Sequence, residues 1–363
     1  MKTFLARILA IAPLLTVATL SAYAAGTSET ASTIISIIDT HAHPFGSPAA
    51  HRDDPPGVRG RGARRGHSTS ANEIVKVMDD FGVETTILLP PPFPPGHPGR
   101  YGLAELKPIV RERPDRLAFA AGGESLNSML HDVSPENVTP RVAKEFRDEA
   151  ETIANAGAAG YGEFATEHFS FGVGRHPYES ARPDHPLLLL LADIAAEHDM
   201  PIDIHMEAVP QDMPMPPRFS GLGPNPASLK ENISGLERLL AHNPKARIIW
   251  AHAGWDNTGE RTVPLMRRLL NDHPNLYMSI KIDEHAPKRT SPFDPDGNLR
   301  PGWLALLHDF SDRFLIGSDE FFDEAPQRLA LVRRFVDALP PEIARRVANE
   351  NARRVYRLGA QSK

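Results

Sequence analysis

The sequence has no cysteine. That excludes disulfides, iron–sulfur clusters, thiolate zinc sites and a cysteine nucleophile. It also lacks an excess of positive charge. The 40 Lys plus Arg stand against 46 Asp plus Glu, a formal balance of −6 with histidine neutral, which argues against a protein that coats a polyanion. What it has is histidine, 16 in 363 residues. A metal bound by this chain must therefore sit on nitrogen and oxygen. The hydrophobic share of 41% and charged share of 24% fit an ordinary globular protein and exclude collagen, coiled coil and wholesale disorder.

The first residues read as a secretory signal peptide. Lys2 and Arg7 precede the apolar run Ile8 to Leu20, and Ala22-Tyr23-Ala24 places small residues where a signal peptidase cuts. The run is shorter than the roughly 20 residues of a spanning helix, and Pro13 interrupts it, so no membrane anchor is expected. The division expected is a signal peptide over 1–24, a linker over 25–33, one domain over 34–358 and a tail over 359–363. The mature protein is then secreted, and periplasmic if the source is Gram-negative.

Past Ala24, short apolar runs alternate with amphipathic stretches. Eight runs read as strands: Ile34 to Ile38, Thr85 to Leu89, Leu117 to Ala121, Gly160 to Phe164, Pro201 to Met206, Arg247 to Ala251, Asn275 to Ile280 and Arg313 to Gly317. Helical stretches lie between them, including Asn72 to Phe81, Pro140 to Ala156, His185 to His198, Leu229 to Ala241, Val263 to Asn271 and Gln327 to Ala338. Alternation of this kind means parallel βα units. Eight such units predict an α/β fold of the (β/α)8 TIM-barrel type, with a doubly wound open sheet as the alternative. The segments after the strands are long and rich in Pro, Gly and His, whereas those entering them are short, as at Asn243-Pro244 and His273-Pro274. In a barrel the long loops all crowd one mouth.

Polar residues stand at the ends of these runs. In Asp39-Thr40-His41-Ala42-His43 the two-residue strand period points His41 and His43 the same way, so both imidazoles can reach one cation. Glu163 ends the fourth run, His205 the fifth, His252 the sixth and Asp319 the eighth. By contrast His198, His242 and His273 close helices, where a cation suits the dipole. They read as structural. His168 and His176 carry no ligand pattern; their loop follows the fourth strand, which leaves a substrate role open to them.

At these residues the sequence resembles the amidohydrolase superfamily, in its amidohydrolase-related branch that includes aminocarboxymuconate-semialdehyde decarboxylase. The resemblance rests on Asp39-Thr40-His41-Ala42-His43, His205, Trp250-Ala251-His252-Ala253-Gly254, Gly317-Ser318-Asp319 and Asn351-Ala352-Arg353-Arg354-Val355-Tyr356-Arg357-Leu358. It covers nearly the whole chain past residue 24. It implies a metal-dependent hydrolase barrel in which His41, His43, His205 and Asp319 bind a divalent cation. His252 is then a second-metal ligand or the catalytic histidine. Many binuclear relatives carry a carboxylated lysine or a glutamate at the end of strand four. Glu163 here either bridges two cations or hydrogen-bonds a ligand histidine, and direct metal contact is the expectation.

Such a site activates water. Asp319 would shuttle its proton and His252 would help to stabilise charge on the acyl oxygen, giving hydrolysis of an ester, lactone or amide. Zinc is the first choice among metals, one or two per chain; manganese, iron or cobalt would also suit such ligands. The main rival is a nonoxidative decarboxylase of an aromatic or enoic acid, for which Arg175 or Lys281 could hold a substrate carboxylate. A third reading is a periplasmic binding protein without turnover. Trp255, with Phe45, Phe93, Phe169, Phe171 and Met206, is a candidate for an apolar substrate wall. The loop Phe45 to Ser70 carries Arg52, Arg59, Arg61, Arg64 and Arg65. It lacks interleaved aromatics, so it reads as a lid or a homo-oligomer contact and not as a nucleic-acid surface. The expected partner is a small-molecule substrate.

Overall fold

The computed structural model describes residues 34–45, 69–97, 99–172, 176–323 and 325–359. The segment expected to be a signal peptide, the five arginines of the loop after Phe45 and Arg175 lie outside them. The eight apolar runs all become strands: β1 (Ile37–His43), β2 (Val83–Leu88), β3 (Leu117–Gly122), β4 (Gly160–His168), β5 (Pro201–Met206), β6 (Arg247–Ala253), β7 (Leu276–Ile280) and β8 (Phe314–Ile316). Each pairs in parallel with the next. β8 returns to β1 through Asp39 and Ile316, which closes the sheet into a (β/α)8 barrel and disposes of the open-sheet alternative. Among the described residues no helix is long and apolar enough to cross a membrane.

Three strands run further than their apolar cores. β1 spans Ile37–His43 and is buried throughout, so His41 and His43 lie within the strand and not beyond it. β4 continues to His168 and β6 to Ala253, which takes in His252. Polar residues masked these extensions because they face the barrel mouth, where side chains serve a site and not the core.

Helices form where local chemistry starts them. Ser70 and Glu73 make a reciprocal capping box at Ala71–Asp80. Thr139 caps Pro140–Asn155, and prolines open Pro186–Glu197 and Pro301–Asp309, where a missing N–H costs nothing. The helix expected from Leu229 begins only at Ile233, because Ser228–Leu229 pairs antiparallel with Met213–Pro214. The helix faces pack on the outer side of the barrel through residues such as Ile74, Phe146, Leu191, Leu236 and Trp303. A second cluster joins Ile38, Ile87, Ala120, Ile249 and Leu315 to Ala352, Val355 and Tyr356 of the last helical turns. Tyr356 meets Gly160, the first residue of β4, so the C-terminal segment plugs the barrel floor and leaves the other end for chemistry.

The closing seam depends on Asp39. Its buried carboxylate takes the Ser318 backbone N–H at 2.8 Å and the Ser318 hydroxyl, across the join between the first and last strands. Asp39→Ala leaves the Ser318 N–H without its partner. It should lower stability by about 2 kcal/mol in urea denaturation of the metal-free protein.

Candidate metal centre and active site

At the open end, strand-end side chains converge on Glu163, which is only 4% exposed. One of its oxygens, Oε2, lies 3.6 Å from His41 Nε2 and 3.8 Å from His43 Nε2. The other, Oε1, lies 2.9 Å from His205 Nδ1 and 3.4 Å from His252 Nε2. Asp319 Oδ1 completes the first group, 3.2 Å from His43 Nε2 and 3.9 Å from His41 Nε2. The residues sequence reading selected from five strand ends therefore meet at one carboxylate. His252 (φ 68°) and Asp319 (φ 57°) adopt left-handed backbone, a costly conformation for non-glycine residues that clusters at functional sites.

The donor atoms suit a cation. The His41 Nδ1 edge faces Asp203 Oδ1 at 3.1 Å, and His43 Nδ1–H donates to the Leu89 carbonyl at 2.9 Å. Those acceptors engage Nδ1 and turn the Nε2 atoms inward, where a cation would take the place of a proton. His41 Nε2 is buried with no hydrogen-bond partner, the state of an atom awaiting a ligand. His205 presents Nδ1 to Glu163 and turns Nε2 towards Glu207 Oε1 at 3.6 Å. Among the described residues two groups have their ligand atoms within 4.8 Å of one another, His41–His43–Asp319 and His41–Glu163–His252. Imidazole and carboxylate are the donor set of zinc and its first-row neighbours.

The electrostatics follow from burial and charge together. Burial would raise Glu163, but His41, His205 and His252 hold it well below the usual carboxylate range. Burial would lower His41, yet Asp203 and Glu163 push it well above the ordinary histidine value. Against the same desolvation, Glu163 and Glu207 raise His205 to about 9. Asp319 stays strongly acidic despite burial because Lys281 and Arg328 stand beside it. Lys281 Nζ lies 2.6 Å from Asp319 Oδ2 and 3.8 Å from the Trp255 ring centroid.

The cavity above this cluster has a volume of about 300 Å³. Trp255 and Lys281 line it, as do Phe93 and Phe171. Phe45 packs on Tyr101 instead, while Phe169 and Met206 are buried among apolar neighbours, so these three are not its walls. His198, His242 and His273 are remote, beside Glu151, Asp193 and Glu237. His168 belongs to the end of β4 and not to the following loop. Sequence reading missed Asp203, Glu207, Arg218 and Arg328. Asp203 stands two residues before His205 in the same strand, and that spacing marks it. Arg328 opens a helix nine positions after Asp319, and no local pattern carries that contact.

The amidohydrolase model Amidohydro_2 matches residues 38–358, and the chain belongs to this enzyme family. No curated protein matches the sequence. Among solved structures, 2,6-dihydroxybenzoate decarboxylase bound to 2,6-dihydroxybenzoate is similar at 16% identity and a TM-score of 0.51, with 89% of this chain and 99% of that one covered. A candidate 2-pyrone-4,6-dicarboxylic acid hydrolase from Pseudomonas putida is similar at 14% identity and a TM-score of 0.52, covering 91% and 99%. At these identities the likeness concerns the fold.

Asp203→Asn and Glu207→Gln remove the carboxylates behind two candidate ligand histidines, His41 and His205. Each should weaken divalent-cation binding by about 10- to 100-fold, read by titration against a competing chelator.

Proposed function

We propose that the protein is a metal-dependent hydrolase that cleaves the C–O or C–N bond of a small ester, lactone or amide. The observation that carries this reading is the division of Glu163, one oxygen towards His41 and His43 and the other towards His205 and His252. Glu163 would thus serve cation binding beside two sets of groups, His41 and His43 with Asp319 on one side and His252, with His205 hydrogen-bonded to Glu163, on the other. Zinc is our first choice. A divalent cation in such a site acidifies water to a pKa of about 7 and polarises an acyl oxygen.

The protein's own groups complete the chemistry. Asp319 is ionised at neutral pH, so it can accept the proton that water sheds on attack. Its strong acidity then favours release of that proton to the leaving oxygen or nitrogen. Lys281 holds Oδ2 and so keeps Oδ1 turned towards the histidines. Lys281 is thus first an Asp319 partner, while Arg328 and Arg218, also on the cavity, offer further positive charge. Trp255, Phe93 and Phe171 supply the apolar walls.

Those cations favour a second reading, a decarboxylase whose substrate carboxylate they hold. A binding protein without turnover has less support, since the proton-shuttling carboxylate is in place. Export through residues 1–24, periplasmic if the source is Gram-negative, a small-molecule substrate and a homo-oligomeric assembly belong to the same proposal.

The test is a panel of lactones, esters and amides with the metal-loaded protein, run beside carboxylated aromatic acids with carbon dioxide detection. Hydrolysis is expected, and Asp319→Asn should lower kcat by about a thousandfold. Carbon dioxide release without hydrolysis would replace this reading with the decarboxylase.

A further inference from the structure

The cavity wall holds a second pair of imidazoles that the metal-centred chemistry does not use. His168 and His176 stack with ring centroids 3.4 Å apart and planes 25° from parallel. On its other side His168 meets the ring of His205 at 4.3 Å, and His176 meets Phe93 at 4.9 Å. The four rings therefore form a ladder leading outward from the cation cluster. Stacking covers the faces of His168 and leaves its nitrogen-bearing edges.

Those edges are unsatisfied. His168 is 6% exposed and lines the cavity, its Nδ1 is buried without a partner, and neither ring nitrogen is hydrogen-bonded to a described residue. His176 donates its Nδ1–H to the Pro177 carbonyl at 3.0 Å, which leaves Nε2 bare, buried and unpaired. By comparison, His131 Nε2 meets the Ala165 carbonyl, and His185 bonds both Val133 and Leu187. Neither belongs to a metal-holding group among the described residues. Buried polar atoms left unpaired in a cavity wall mark the place where a ligand pairs them.

We infer that His168, backed by His176, is a specificity-determining residue that hydrogen-bonds an uncharged hydroxyl of the substrate next to the reacting acyl carbon. A hydroxyl fits because it can donate to a bare nitrogen or accept from N–H, whichever tautomer His168 takes. A second anionic group is better served by the cations across the cavity, Lys281, Arg218 and Arg328. The position follows from the ring ladder, because His168 touches His205 and so flanks the centre where the acyl group must lie. This inference rests on the cavity being the reaction site proposed above.

The test is equilibrium binding by calorimetry to the metal-loaded protein, with (R)-mandelate, (S)-mandelate and phenylacetate as probes. The mandelates differ from phenylacetate by one hydroxyl beside the carboxyl carbon. The wild type should bind at least one mandelate about tenfold more tightly than phenylacetate. His168→Phe, which keeps a ring in the stack, should bind all three alike with unchanged metal content, and His168→Asn should restore part of the preference. A preference that survives His168→Phe reports chelation by the cation and overturns the inference. So does equal binding of the three probes, or no binding, by the wild type. Because nothing turns over, a negative hydrolysis panel with intact discrimination refutes only the hydrolase. Hydrolysis with no discrimination refutes only the role of His168.

Discussion

Everything at the barrel mouth is arranged around one buried carboxylate. Glu163 has imidazole nitrogens from β1, β5 and β6 within 4 Å of its two oxygens. An ionised carboxylate taken out of water is costly unless positive charge or donors surround it. The histidines supply these, and each is in turn fixed from behind: His41 by Asp203, His43 by the Leu89 carbonyl, His205 by Glu207. Remove the central charge and three strand ends lose what they converge upon. The fold's role is to hold those ends together, and it does so by the outer helices, the C-terminal plug and the Asp39–Ser318 closing seam.

Burying so many carboxylates requires compensation further out. Arg261 is 1% exposed, lies 3.9 Å from the Trp250 ring centroid and bonds the carbonyls of Trp250 and Ala251. Burial lowers it to about 9, while Asp256, Glu207 and Asp203 favour its charge. On the other flank Lys281 and Arg328 offset Asp319. The site is thus a balanced cluster with cations on two sides, which is why Asp319 can stay ionised while buried.

Much of this was legible in the sequence. The eight strands were, because alternating apolar runs report burial directly, and so were the ligand candidates, because polar residues at strand ends have no structural reason to be there. His41 and His43 declared themselves by a two-residue spacing. Strand extent was less legible: β1, β4 and β6 run on through the polar residues that build the site, where burial no longer shows as hydrophobicity. Contacts between distant segments were the least legible. Nothing near Arg328 announces Asp319, and nothing in the run from Phe169 to Pro177 announces that His176 will fold back onto His168. The barrel leaves the reaction itself open, since one fold serves several chemistries.

Central to the proposed function is a Glu163 that would contact two cations. Elemental analysis of the purified wild type beside Glu163→Ala tests it most directly. The account predicts about two divalent cations per chain in the wild type, falling to about one or fewer in the variant. One cation in both proteins would contradict it and would make Glu163 a hydrogen-bond partner of His205 and His252 and not a metal ligand.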